Sequence, residues 1–254
     1  MKWRVVYLGL RDPYECSTLP EALLTAVENK LVPDSLYFFQ YSRPAAYMLR
    51  RAGVNISVKP SYCAEQGIPL VRVFNDGSSS ALFDRDQLYA FLIYHPKNEV
   101  SNDFEMARIK QTLIASISEV EVRTEKGRND VQIGNKKVAS IGVLMKKGGV
   151  RSTRVSILND FNFDLAEKMI VPKHNMRENM TTLKAHGLTI SMVSLMQNFK
   201  TAVEDTYGVE FTKVEHNLTE SEKQIVAGLM DKYTSEAWIK TGRWSPVRDY
   251  GRTG

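Results

Sequence analysis

The chain has 254 residues, 43% hydrophobic and 25% charged, with a formal net charge of +5 and a pI near 9.1. That length can bury a substantial core; no run of about 18 apolar residues is present to span a bilayer; and MKWRVVYLGLRDP is too short and interrupted for a signal peptide, so a cytoplasmic protein is expected. Positive charge suits an acidic partner, yet the lysines and arginines are dispersed rather than striped, which argues against a nucleic-acid surface, while two distant cysteines, Cys16 and Cys63, lack the spacing of a disulfide framework or a zinc site.

Trp3 to Leu8 reads as a first strand, and Pro20-Glu21-Ala22-Leu23-Leu24 as a helix start with proline at its first position, running to about Leu31. Leu36 to Tyr41 is an aromatic strand stopped at Ser42-Arg43-Pro44, and a polar turn follows. Tyr62 to Gly67 is a helical turn closed by glycine, and Ile68 to Phe74 a buried strand running into Asn75-Asp76-Gly77-Ser78-Ser79-Ser80. Ala81 to Phe83 and Leu88 to Tyr94 are further strands. Met106, Ile109, Leu113 and Ile117 form one stripe of a helix over Phe104 to Val120, after which Val120 to Val122 returns to strand. Beyond the hairpin treated next come a basic turn at Lys146-Lys147-Gly148-Gly149, a strand at Arg154 to Leu158 and a short helix at Phe163 to Ile170. Pro172 to Gly187, with His174 and His186, reads as a mobile loop. The last two helices run from Met192 to Val203 and from a capping box at Thr219-Glu220-Ser221-Glu222. The fold class is therefore α+β, a mixed sheet with surrounding helices, in one domain over 1–254.

The stretch Gly127 to Val143 carries the chemistry. Val131 and Ile133 lie on one strand, Gly134-Asn135 makes a tight turn, and a second strand begins near Val138. Alternation sends Lys136 and Lys137 to opposite faces, so one lysine can enter a pocket while its neighbour stays in water; a plain solvated hairpin tip is the competing reading. Asp130 suits a magnesium site, and equally an Asx-turn with Asn129. The Gly77-Ser78-Ser79 loop offers backbone N–H groups and hydroxyls able to cradle a phosphate, or is an ordinary turn. No Walker A or GxGxxG sequence is present, and the four histidines form no pairing that suggests a metal or a triad.

Taken in order, these segments resemble the lipoate-protein ligase family of the biotin/lipoate ligase superfamily. Glu21-Ala22-Leu23-Leu24 is similar to its early helix start, and Gly67-Ile68-Pro69-Leu70-Val71-Arg72 with the Gly-Ser loop to its strand and phosphate loop. Asn129-Asp130-Val131 and Lys136-Lys137-Val138-Ala139 are similar to its ND segment and lysine motif, Arg177 to Leu183 to its R-x-x-VTNL segment, and Lys232 to Trp238 to its terminal KY-x-x-EW helix. The likeness spans Glu21 to Trp238. Its departures sit mainly in the phosphate loop: Val73 follows Arg72 where the family pairs arginines, Ser78 and Ser79 replace glycines, Asp76 is an extra residue, and Phe83 stands for a histidine.

The resemblance implies ATP-dependent activation of lipoate to lipoyl-adenylate, then transfer to a lysine of a lipoyl-domain protein, either a 2-oxoacid dehydrogenase acyltransferase subunit or a glycine-cleavage H protein. It assigns Lys137 as the catalytic lysine and Asp130 to Mg2+. Arg72, Gly77, Ser78, Ser79, Asn129, Lys137, Val138 and Ala139 are assigned to substrate and nucleotide. It further implies that the usual C-terminal accessory domain is absent and supplied as a separate subunit. Alternatives are a non-catalytic binding or partner subunit, motivated by the altered loop, and an octanoyl or lipoyl transferase. The transferase branch uses a cysteine thioester, and no cysteine follows Cys63.

Overall fold

The computed structural model describes residues 2–117, 122–123, 129–146, 149–171 and 175–245. Parts of four sequence expectations, the strand at Val120 to Val122, the Lys147-Gly148 turn, the start of the Gly127 stretch and His174, lie outside these residues.

In chain order the elements begin with β1 (Lys2–Arg11), α1 (Pro13–Glu28), β2 (Ser35–Tyr41), β3 (Ala45–Met48), α2 (Val54–Ser57), α3 (Pro60–Glu65), β4 (Leu70–Arg72), β5 (Ser80–Phe83) and β6 (Gln87–Tyr94). They continue with α4 (Asn102–Ser116), β7 (Val122–Arg123), β8 (Asp130–Ile133), β9 (Lys136–Met145), β10 (Arg151–Leu158), α5 (Phe163–Met169) and α6 (Met176–Asn179). The last are α7 (Met192–Tyr207), β11 (Glu210–Glu215), α8 (Glu220–Thr234) and α9 (Glu236–Thr241). Eight strands form a mixed sheet in the order β11-β1-β2-β6-β10-β9-β8-β7, and β4-β3-β5 make a small second sheet. The α+β expectation is correct.

Alternation along the large sheet sorts its side chains between two cores. Trp3, Val5, Leu36, Phe38, Leu88 and Val155 face α4 and α7, while Tyr37, Phe39, Tyr89 and Phe91 face α1, α8 and the small sheet. The first helix starts earlier than the sequence suggests. The Asp12 side chain accepts from the Tyr14 N–H with Pro13 in the first turn, so a complete N-terminal signal precedes Pro20, which lies buried inside the helix. Pro20 removes one helical hydrogen bond there, and α1 continues because its apolar face is buried against the sheet. The polar turn expected after Pro44 is β3, and the polar stretch after α7 is the edge strand β11.

The capping box at α8 forms, and Glu222 does more than cap. One of its oxygens accepts from the Thr219 N–H at 2.8 Å and the other from Arg4 Nη2 at 2.6 Å, tying α8 to β1. Burial alone would raise this carboxyl, but hydrogen bonds from Arg4 and Tyr37 hold it below the usual carboxylate range.

Candidate functional site

The β8–β9 hairpin turns through Gly134 at φ 60° and Asn135, leaving Lys136 opposite Ile133 and Lys137 opposite Gln132. One residue later the register slips. Ala139 pairs with Val131 and Ser140 with Asp130, so Val138 is an extra residue in a bulge. Val138 and Ala139 both enter the core beneath α4 and α7. The bulge thereby puts Lys137 on the same face as Asp130, Gln132, Ser140 and Gly142, the face covered by the small sheet and the Ser78–Ser80 loop. Lys136 turns outward, where its ammonium donates to the Arg177 carbonyl at 2.7 Å.

Lys137 stands where three cavities meet. The first, about 340 Å³, lies between Ser78–Ser80, Asp130 with Gln132, and the apolar side chains of Met176 and Met180. The second, also about 340 Å³, runs along β9 and β10 past Asn129, Ser140, Gly142, Arg154 and Ser156 to Tyr47 and Tyr89. The third is a slot of about 40 Å³ reaching Ala139, Leu158 and Phe161. The R-x-x-VTNL-like segment closes the arrangement, since the Thr181 N–H donates to the Lys137 carbonyl at 2.9 Å and Met180 bridges to Lys137. Within the stretch expected as a mobile loop, Pro172 to Gly187, Met176–Asn179 form α6 and Lys184–His186 a 3-10 turn.

Burial lowers the pKa of Lys137, and the nearby Asp130 carboxylate opposes that shift. An ammonium so placed has little water to screen it and is well disposed to meet a carboxylate or a phosphate. Asp130 Oδ1 is buried without a hydrogen-bond partner. Magnesium is commonly held by one or two carboxylates plus substrate phosphates and water, so this single oxygen fits a site completed by a nucleotide. Among the described residues no cluster of three acidic, histidine or cysteine side chains offers a complete protein-made site.

The lowered pKa of the Lys137 ammonium sets the pH dependence of the site. The ammonium persists below its folded pKa and is lost as pH rises through it, so the alkaline limb of a Lys137-dependent rate should fall below the ordinary lysine value of about 10.4. In the window between folded and unfolded values the unfolded chain binds more protons, so Lys137's contribution to stability grows with pH while the rate declines. A pH–rate profile set against melting temperatures checks both signs.

The structure brings Lys137, Asp130, Ser78 and Ser79 to the first cavity, Asn129 to the second and Ala139 to the third. Val138 is buried in the opposite core. Two of the assigned residues lie outside these cavities. Arg72 is fully buried and its guanidinium faces carbonyls, those of Leu49, Arg50 and Ala52 at 2.8–2.9 Å and of Ile239 at 2.9 Å, so it staples a loop to α9. Gly77 lines none of these three cavities; at φ 143° an added Cβ would lie 2.4 Å from the Leu49 side chain, so the glycine lets the loop turn there. Arg154, Tyr47 and Tyr89 line the site without having been singled out in the sequence, because only the pairing of β10 with β9 and β6 brings them there. Both thiols, Cys16 and Cys63, are buried, pushed up in pKa by burial, and outside all three cavities.

Comparison with known proteins agrees with this architecture. The chain is 24% identical over 270 residues to octanoyltransferase LipM of Moorella thermoacetica, covering 94% of this chain and 97% of that protein. Its fold superimposes on ATP-bound lipoate-protein ligase A with a TM-score of 0.84 at 18% identity, covering 96% of this chain and 100% of the other. The bi-partite lipoate protein ligase of Thermoplasma acidophilum, studied with its E2 lipoyl domain, gives 0.83 at 16% identity, with 97% and 99% covered. Residues 12–204 match the family described as Lipoyl protein ligase A/B catalytic domain, and the chain belongs to that family.

Proposed function

We propose that the chain is an adenylate-forming ligase that activates lipoate or a related medium-chain acid with ATP and passes the acyl group to a lysine of a lipoyl-domain protein. The observation that carries this reading is Lys137, an ammonium at the meeting of two sizeable cavities, beside a carboxylate with an unpartnered oxygen and with no thiol in reach. Two cavities meeting at one cation suit two substrates whose reacting groups must be brought together. In the first step an acid oxygen attacks the α-phosphorus of ATP and pyrophosphate leaves. In the second the acceptor lysine's amine attacks the acyl carbon, AMP leaves, and the amine loses a proton. Lys137 meets the negative charge that builds on the phosphate and carboxylate oxygens, and the Ser78–Ser79 loop offers hydroxyls to the nucleotide. Asp130 would hold magnesium, and an ion bound there would neutralise phosphate charge.

The likeness to an ATP-bound ligase and to a ligase studied with its lipoyl domain supports this reading and its partner. The bi-partite organisation of the second also supports a separate accessory polypeptide as part of the same proposal. A second reading, acyl transfer without ATP, is favoured by the octanoyltransferase name of a relative matched over nearly its whole length. A thioester route needs an accessible thiol, which neither cysteine provides. The test is to incubate the chain with ATP, magnesium, lipoate or octanoate, and an apo lipoyl domain, with and without an accessory polypeptide, and weigh the lipoyl domain. An acyl mass increase that requires ATP is expected. No increase and no acyl-adenylate would favour a non-catalytic binding subunit.

A further inference from the structure

We propose that the second cavity is built for an acid carrying another anionic group at its far end, and that Arg154 recognises that group. This rests on the ligase reading for the reacting end, which lies at Lys137, and it names the class of acid.

Arg154 on β10 pairs in register with Gly142 on β9, and its guanidinium lies directly over that glycine, where an added Cβ would come within 2.7 Å of Nη2. The missing side chain is what makes room for the guanidinium. Nη1 donates to Asn75 Oδ1 at 2.6 Å, the Tyr47 hydroxyl is a further hydrogen-bonding neighbour, and Nε is buried without a partner. Among the described residues Arg154 has no carboxylate partner. The cavity wall holds two cations, Lys137 and Arg154, and no aspartate or glutamate. A recess of that kind, with two cations and no carboxylate on its wall, favours an anion in whatever enters it.

The two cations do not stand together. Lys137 is shared with the other cavities, whereas Arg154 belongs to the second alone. Because Val138 is the extra residue of the bulge, Lys137 and Gly142 lie about four strand rises apart along β9, roughly 13 Å. One acid can therefore present its reacting carboxylate at the Lys137 end and another anionic group at the Arg154 end. A purely apolar tail would cover a guanidinium whose Nε already lacks a partner and give nothing in return, whereas a carboxylate can accept from its fork. Sites built around a buried hydrogen-bonding group discriminate strongly against ligands that lack the complement.

The experiment is calorimetric binding of octanedioate, octanoate and lipoate to the full chain without ATP, repeated on Arg154→Met and Gly142→Ala with thermal melting as the folding control. The unaltered chain is expected to bind octanedioate at least about tenfold tighter than octanoate or lipoate, a modest share of what such sites reach. Arg154→Met should abolish that preference, and Gly142→Ala, which displaces the guanidinium, should weaken it. Octanoate or lipoate binding as tightly as octanedioate, no acid binding, or a preference that survives Arg154→Met would overturn the proposal. If Arg154→Met does not fold, Gly142→Ala and the comparison of acids on the unaltered chain decide. Because ATP is left out, the result is separate from the ligase reading: octanedioate bound selectively but never adenylated would keep Arg154's role and sink the adenylation step.

Discussion

Lys137→Ala is expected to lower ATP-dependent acid activation by about a hundred- to thousandfold, the usual loss when one pre-placed charge-stabilising donor is removed from a dry site. Thermal stability should hardly change. Lys137 is the one cation lining all three cavities, and burial already disfavours its charged form, so removing it relieves a desolvation cost and breaks no side-chain hydrogen bond among the described residues. Lys137→Arg should not restore activity, because a planar fork cannot occupy the point-like position of an ammonium at the junction of the cavities. Lys136→Ala is the control. Its ammonium faces outward to the Arg177 carbonyl, so kcat should stay near that of the unaltered chain. Rates of pyrophosphate release, measured beside melting curves, separate the two lysines.

Arg72→Ala should have the opposite profile. Its guanidinium donates to several backbone carbonyls, and its own carbonyl accepts from the Trp238 indole at 2.9 Å, so β4, the loop at 49–52 and α9 are joined through one residue. Deleting it strands buried acceptors that found a charged donor there, and a loss of about 3–5 kcal/mol is expected, at the upper end for a single substitution. The KM for ATP in whatever fraction stays folded should be close to that of the unaltered chain. A raised KM for ATP with unaltered stability would instead return Arg72 to the nucleotide. Denaturant titration together with ATP saturation curves gives both numbers.

The contrast between Arg72 and Lys137 shows what could be read from the sequence. Lys136 and Lys137 could be sent to opposite faces by strand alternation alone, and the hairpin with its Gly-Asn turn forms as expected. What alternation does not contain is the bulge at Val138, which puts Lys137 on the face of Asp130 and Ser140. Arg72 lies in a short apolar strand, and nothing local distinguishes a phosphate-binding arginine from one that clamps carbonyls of a helix 167 positions away, as it does with Ile239. Arg154 was readable only as a member of an alternating strand, since its place depends on facing a glycine on β9. The strand β11 leaves little trace in the sequence, because Phe211 is its only buried residue and most of the others are polar, a common condition of sheet edges. Pro20 misled because proline is a good first-turn residue, and the earlier signal at Asp12-Pro13 carried the true start.

The most direct test of the central claim offers the chain two acyl donors in parallel with an apo lipoyl domain: a free acid with ATP and magnesium, and the same acyl group as a carrier thioester without ATP. The site built on Lys137 predicts that the free acid with ATP modifies the lipoyl domain, with one pyrophosphate released per acyl group and loss of the reaction in Lys137→Ala. Modification from the thioester alone, undiminished by Lys137→Ala, would contradict it.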